Sequence, residues 1–205
     1  VNNDEIEEKV KFLDEAGADY IHIDVMDGKY VPNVSFGPSI VNKLRKITSK
    51  VLDVHLMVSP VKPCIEDFIN AGSDIISFHP EADENSFDIL NKLNEEKVKA
   101  GIAIHPNKRI SDFQNLLPHV QQVIVMTVIP GFGGQKFIDE QVIKIRQLFE
   151  LRKEKNYGYK ISVDGGINDK TSKICINQGV DVLAVGSYLL SKDKYNYKEI
   201  INSLK

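Results

Sequence analysis

Residues 20–28 read YIHIDVMDG. Successive side chains of a strand point to opposite faces. Alternation therefore places His22, Asp24 and Met26 on one face and Ile21, Ile23 and Val25 on the other. The apolar face predicts burial. An imidazole and a carboxylate side by side on the other face predict either solvent contact or a polar site that works on a metal or a proton.

Outward from this strand, one phrase recurs. Helix-like segments end in Gly, then one residue, then Asp, then an apolar run. It stands at Gly17-Ala18-Asp19, Gly72-Ser73-Asp74 and Gly179-Val180-Asp181. Gly suits the left-handed position just past a helix C-terminus. Helix, turn and strand thus repeat, and the class is α/β. Seven strands are expected, at roughly 19–25, 51–57, 74–79, 99–104, 122–127, 159–164 and 181–186. Dense apolar runs such as QVIVMTV and DVLAVG fit parallel strands covered on both faces. A helix over 4–16 carries Ile6, Val10 and Leu13 on one stripe, with Asn3 as its N-cap. Further helices carry Phe87, Leu90 and Leu93, and Val142, Ile145 and Leu148. No linker or low-complexity tract interrupts them, so residues 1–205 are expected to form a single barrel domain.

Active sites of α/β folds sit at the C-terminal ends of the strands. Polar residues collect there on several separate strands: His22 and Asp24, His55, and Asp164. An open sheet cannot bring the ends of distant strands to one point, whereas a barrel can. The expected fold is a (β/α)8 TIM barrel with seven strands visible. If the helix at 4–16 is the first helix of the barrel, the strand before it is expected to be missing from this chain. His22, Asp24, His55 and Asp164 form a two-imidazole, two-carboxylate set suited to Zn²⁺, Fe²⁺ or Mn²⁺. Asp53, in phase with His55, is either a partner behind a ligand or part of a lower barrel layer.

The glycines mark a second site element. PGFGGQ at 130–135, Gly165-Gly166 and Gly186-Ser187 offer bare backbone N–H groups, and barrels commonly bind phosphate after their last strands. Tight turns alone are the plainer alternative. The three methionines, Met26, Met57 and Met126, all lie near strand ends and read as a soft apolar cap over the site. His79, His105 and His119 receive no role.

Composition excludes other classes. With 26 basic and 29 acidic residues and net charge −3, there is no basic patch for nucleic acid. No apolar run approaches the ~18 residues of a membrane span, and no secretory leader is seen. Two distant cysteines, Cys64 and Cys175, read as reduced and suit a cytoplasmic protein.

Together HIDVMDGKYVPNVSFGP, DVHLMV, FHPEA, VMTVIPGFGGQKF, VDGGI and AVGS resemble the ribulose-phosphate 3-epimerase family. The resemblance runs from about residue 5 to the last helix. It implies a homo-oligomeric enzyme with one divalent metal ion (Zn, Fe, Mn or Co). The implied reaction interconverts D-ribulose 5-phosphate and D-xylulose 5-phosphate. It makes His22, Asp24, His55 and Asp164 the metal ligands, and Asp24 and Asp164 also the acid and base. Its substrate contacts map to His55, Met26, Met57, Met126, Gly131, Phe132, Gly133, Gly134, Gly165, Gly166, Gly186 and Ser187. The family's opening strand has no counterpart, so the chain is expected to be N-terminally truncated. An epimerase for allulose 6-phosphate and a non-catalytic phosphate-binding barrel are the alternatives.

Overall fold

The computed structural model describes residues 3–205, with side chains described from residue 5. Seven strands form one parallel sheet in sequence order: β1 (Tyr20–Met26), β2 (Val51–Met57), β3 (Ile75–Phe78), β4 (Lys99–Ile104), β5 (Gln122–Met126), β6 (Lys160–Asp164) and β7 (Val182–Ala184). Eight helices accompany them: α1 (Asn3–Glu15), α2 (Pro38–Arg45), α3 (Ile65–Asn70), α4 (Ser86–Glu95), α5 (Val142–Lys155), α6 (Thr171–Asn177), α7 (Ser187–Leu190) and α8 (Tyr197–Leu204). The expected cap at Asn3 falls outside the described side chains.

The recurrent Gly-x-Asp phrase has a structural cause. Gly17, Gly72 and Gly179 each have φ between 88° and 96°, which ends the helix and turns the chain into the next strand. In two of the three copies the Asp then fastens the preceding strand. Asp74 accepts Leu52 N–H at 2.8 Å and an Arg45 guanidinium N–H at 2.7 Å. Asp181 accepts Ile161 N–H at 2.7 Å and pairs with Arg152. The strand's leading N–H is thereby satisfied where the ladder begins. Asp19 instead pairs with Lys205 at 2.9 Å.

Three local expectations differ from the structure. β7 ends at Ala184, because Gly186 leaves the extended region (φ −93°, ψ −103°) to start α7. The link from β4 to β5 holds two 3₁₀ turns, Ile110–Phe113 and Leu117–His119, rather than an α-helix. Pro118 supplies no N–H there, and Phe113, Leu116 and Leu117 provide the apolar cover. Phe87 is exposed and meets His119 edge-on, while Ile89, Leu90 and Leu93 form the buried face of α4.

The main core lies between strands and helices, where Ile21, Ile23 and Val25 of β1 are buried. The barrel interior divides in two. Ala103, Ile124, Met126 and Val128 make an apolar patch, while Asp53, Ser77, Gln122 and Ser162 are buried polar groups. Among the described residues β7 and β1 do not pair. That side is closed by side chains: Ala16, Leu189, Tyr197 and Ile201 cluster with Phe12 and Leu13, and Lys160 Nζ donates to Tyr20 Oη at 2.9 Å.

Candidate metal centre and active site

Strand register brings the polar residues together. β1 and β2 align His22 with Asp53, Asp24 with His55, and Met26 with Met57. β5 and β6 align Met126 with Asp164. One ligand atom from each of His22, Asp24, His55 and Asp164 lies within 4.8 Å of all the others.

The two imidazoles are held differently. His22 Nδ1 lies 2.8 Å from Asp53 Oδ2, and the other Asp53 oxygen accepts from Gln122 Nε2 at 2.8 Å. A proton on Nδ1 leaves the Nε2 lone pair 3.3 Å from Asp24 Oδ1 and 4.0 Å from Asp164 Oδ2. This Nε2 is buried without a hydrogen-bond partner. His55 presents the opposite edge: its Nδ1 lies 3.1 Å from Asp24 and 3.6 Å from Asp164. Its Nε2 lies 3.1 Å from His79 Nε2.

The electrostatics are those of a cation site. Burial alone would raise Asp24, but its contacts with His22 and His55 overcome that and hold it well below the usual carboxylate range. Burial alone would lower both imidazoles. Asp53 and Asp24 instead raise His22 well above its ordinary value, and Asp164 and Asp24 raise His55. Two carboxylates thus draw positive charge into a buried space. A divalent cation satisfies the same demand and the orphaned His22 Nε2 as well, in competition with those protons. The residues present therefore fit such an ion: two nitrogens, two carboxylate oxygens, and a carboxylate behind one imidazole.

Above this cluster lies a cleft. Its wall includes Asp24, Met26, Met57, Met126, Gly131, Phe132, Gly133, Gly134, Asp164, Gly165, Gly166, Gly186 and Ser187. His22 and His55 lie beneath it, and His55, placed also among the substrate contacts, is fully buried. Met57 and Met126 are 1% exposed, Met26 half-buried, and Phe132 exposed. The loop at 129–135 is folded back by Gln135 Nε2, which donates to the Ile129 and Phe132 carbonyls. It is tied to the loop after β1 by Asn33 Nδ2 on Gly131 O at 3.2 Å. After β6 only glycine fits. A Cβ on Gly165 (φ 114°) would stand 2.4 Å from Val128 Cγ2, and one on Gly166 (φ 66°) would stand 2.8 Å from the Phe137 nitrogen.

Three polar residues behind the cluster carried no assigned role in the sequence. Asp53 stands behind the His22 imidazole, and Gln122 donates to it. His79 is fully buried at the end of β3, with Tyr30 stacked on it at 4.7 Å. Burial, reinforced by His55 and His105, holds His79 well below the usual imidazole range. The available signals were a Gln opening an apolar strand and the His in FHPEA.

Comparison with known proteins shows the family to which the chain belongs. The model of the ribulose-phosphate 3 epimerase family matches residues 1–190. Ribulose-phosphate 3-epimerase of Treponema pallidum is 41% identical over 180 residues, 88% of this chain and 83% of the relative. That of Synechocystis is 40% identical over 200 residues, 97% of this chain and 86% of the relative. Among solved structures, 3-keto-L-gulonate-6-phosphate decarboxylase from Vibrio cholerae superposes with TM-score 0.74 at 15% identity, covering 99% of this chain and 90% of that one. 3-Hexulose-6-phosphate synthase gives 0.73 at 14%, covering 98% and 92%. At such identities the structures speak for the barrel fold alone. With the family match spanning most of its length, the chain belongs to the ribulose-phosphate 3-epimerase family and is an epimerase.

Proposed function

We propose that this epimerase inverts C3 of a phosphorylated ketose, interconverting D-ribulose 5-phosphate and D-xylulose 5-phosphate. The observation that carries the proposal is the convergence of two carboxylates, Asp24 and Asp164, on one centre from β1 and β6. Inversion beside a carbonyl requires removal of a proton from one face of the carbon and delivery to the other. Two carboxylates on separate strands do this without turning the substrate over. In one direction Asp24 takes the proton while Asp164 donates one, and the reverse direction exchanges their roles.

His22, Asp24, His55 and Asp164 would hold the divalent cation. When bound, it supplies positive charge against the negative charge that builds on the ketose oxygens as the C–H bond breaks. Met26, Met57 and Met126 keep bulk water from the reacting carbon. Gly165, Gly166, Gly186 and Ser187 form a bare-backbone wall on which the phosphate rests, and Gly131–Gly134 with Phe132 cover the sugar. Two free cysteines, Cys64 and Cys175, support a reducing compartment.

The test is proton NMR of ribulose 5-phosphate in D₂O with the protein and Zn²⁺, Fe²⁺, Mn²⁺ or Co²⁺, and allulose 6-phosphate in a parallel tube. Deuterium entering C3 as xylulose 5-phosphate appears is the expected result, and the best metal identifies itself by rate. Exchange confined to the allulose 6-phosphate tube would reassign the substrate. No exchange in either tube would sink the proposal.

A further inference from the structure

We infer that His79 is a positioning residue that accepts the Nε2–H of His55 and thereby fixes the tautomer whose Nδ1 faces the cation. The inference rests on the proposed metal centre. An imidazole can ligate through either nitrogen, and the choice is set by what the other nitrogen touches. In His55 only Nδ1 faces Asp24 and Asp164, at 3.1 and 3.6 Å. Its Nε2 meets His79 Nε2 at 3.1 Å. Two facing ring nitrogens at this distance share one proton: two protons clash and two lone pairs repel. With the proton on His55, Nδ1 of His55 is free for a metal and His79 carries its own proton on Nδ1. With the proton on His79, the Nδ1 of His55 is protonated and closed to a metal.

The surroundings of His79 favour the first arrangement. Its Nδ1 lies 3.7 Å from Glu81 Oε1 and has no hydrogen-bond partner. Tyr30 donates its hydroxyl to that same oxygen at 3.0 Å and stacks its ring on His79 at an interplanar angle of 29°. Asp27 Oδ1 in turn accepts Tyr30 N–H at 3.0 Å, which pins the loop after β1. Behind His22 stands a hydrogen-bonded carboxylate, Asp53, whereas behind His55 stands His79, with the Glu81 carboxylate near its far nitrogen but not hydrogen-bonded to it. The FHPEA segment supplies both His79 and Glu81, and the loop after β1 supplies the tyrosine that donates to Glu81 and stacks on His79.

The test uses the full chain with Zn²⁺ as the probe. Long-range ¹H–¹⁵N spectra of the Zn²⁺-loaded wild type should show His55 ligating through Nδ1, with an Nε2–H that exchanges slowly with water. Zn²⁺ affinity, read by competition with a chromophoric chelator, should fall roughly 10- to 100-fold in His79→Leu, the usual range for loss of such a support. His79→Gln, whose amide oxygen can accept the same proton, should keep most of the affinity. His55 ligating through Nε2, His79→Leu binding like wild type, or equal losses in both variants would overturn the inference. The wild-type spectrum decides if a variant fails to fold. A wild type that takes up no Zn²⁺ would overturn the metal centre itself, and this inference with it.

Discussion

Asp24 and Asp164 are distinguishable from ordinary surface acids by where their oxygens lie, within reach of two imidazoles and of each other. Asp24→Asn and Asp164→Asn should each lower turnover by at least the roughly 10²- to 10⁴-fold that acid/base catalysis contributes, with circular dichroism unchanged. Near-normal epimerisation in either variant would remove the two-carboxylate scheme. The pairing of His22 with Asp24 was legible because a strand's period of two is written in one segment. The support behind them was not. Asp53 meets His22 only through the register of β1 on β2, and His79 meets His55 only across β2 and β3. No alternation pattern within one strand reports such a contact.

At the level of elements, the Gly-x-Asp turns fasten strands. Asp181→Ala removes an acceptor from Ile161 N–H and from Arg152. It should cost about 1–3 kcal/mol, as for a hydrogen bond to a charged group, read as a lower urea midpoint. An unchanged midpoint would make the phrase ornamental. Asp83 ties the segment after β3 to the segment after β2. Burial would raise its carboxyl, but N–H groups of Lys62, Asn85 and Val61 hold it below the usual value. A carboxyl depressed on folding stabilises the fold above its unfolded pKa, near 3.9. That contribution disappears as pH falls through the folded value. The stability difference between wild type and Asp83→Asn should therefore be full at pH 6 and shrink below about pH 4; a constant difference would refute this. Element types were readable from periodicity. The two 3₁₀ turns after β4 were not, because Phe113, Leu116 and Leu117 supply the apolar residues a helix would have supplied.

For the whole molecule, the barrel was deducible because chemistry-bearing residues on distant strands needed a common centre. What closes the side between β7 and β1 was not deducible, since it depends on α1 meeting α8. Ile201→Ala, in that apolar seam, should cost about 2 kcal/mol or more and lower the thermal midpoint. The same change at exposed Ile143 should leave the midpoint nearly unmoved. A ligand that binds only the folded state stabilises it by mass action. Saturating Zn²⁺ should therefore raise the wild-type midpoint, and chelation should reverse the rise and abolish epimerisation together. A midpoint indifferent to both would deny the centre its cation.

No helix among the described residues is long and apolar enough to cross a membrane. The strand-fastening aspartates carry a consequence for synthesis. Leu52 is secured by a residue 22 positions later, and Ile161 by one 20 positions later. A chain that stops short of Asp74 or of Asp181 lacks the acceptor for that N–H, so each of these two strands is completed only by the turn that follows it.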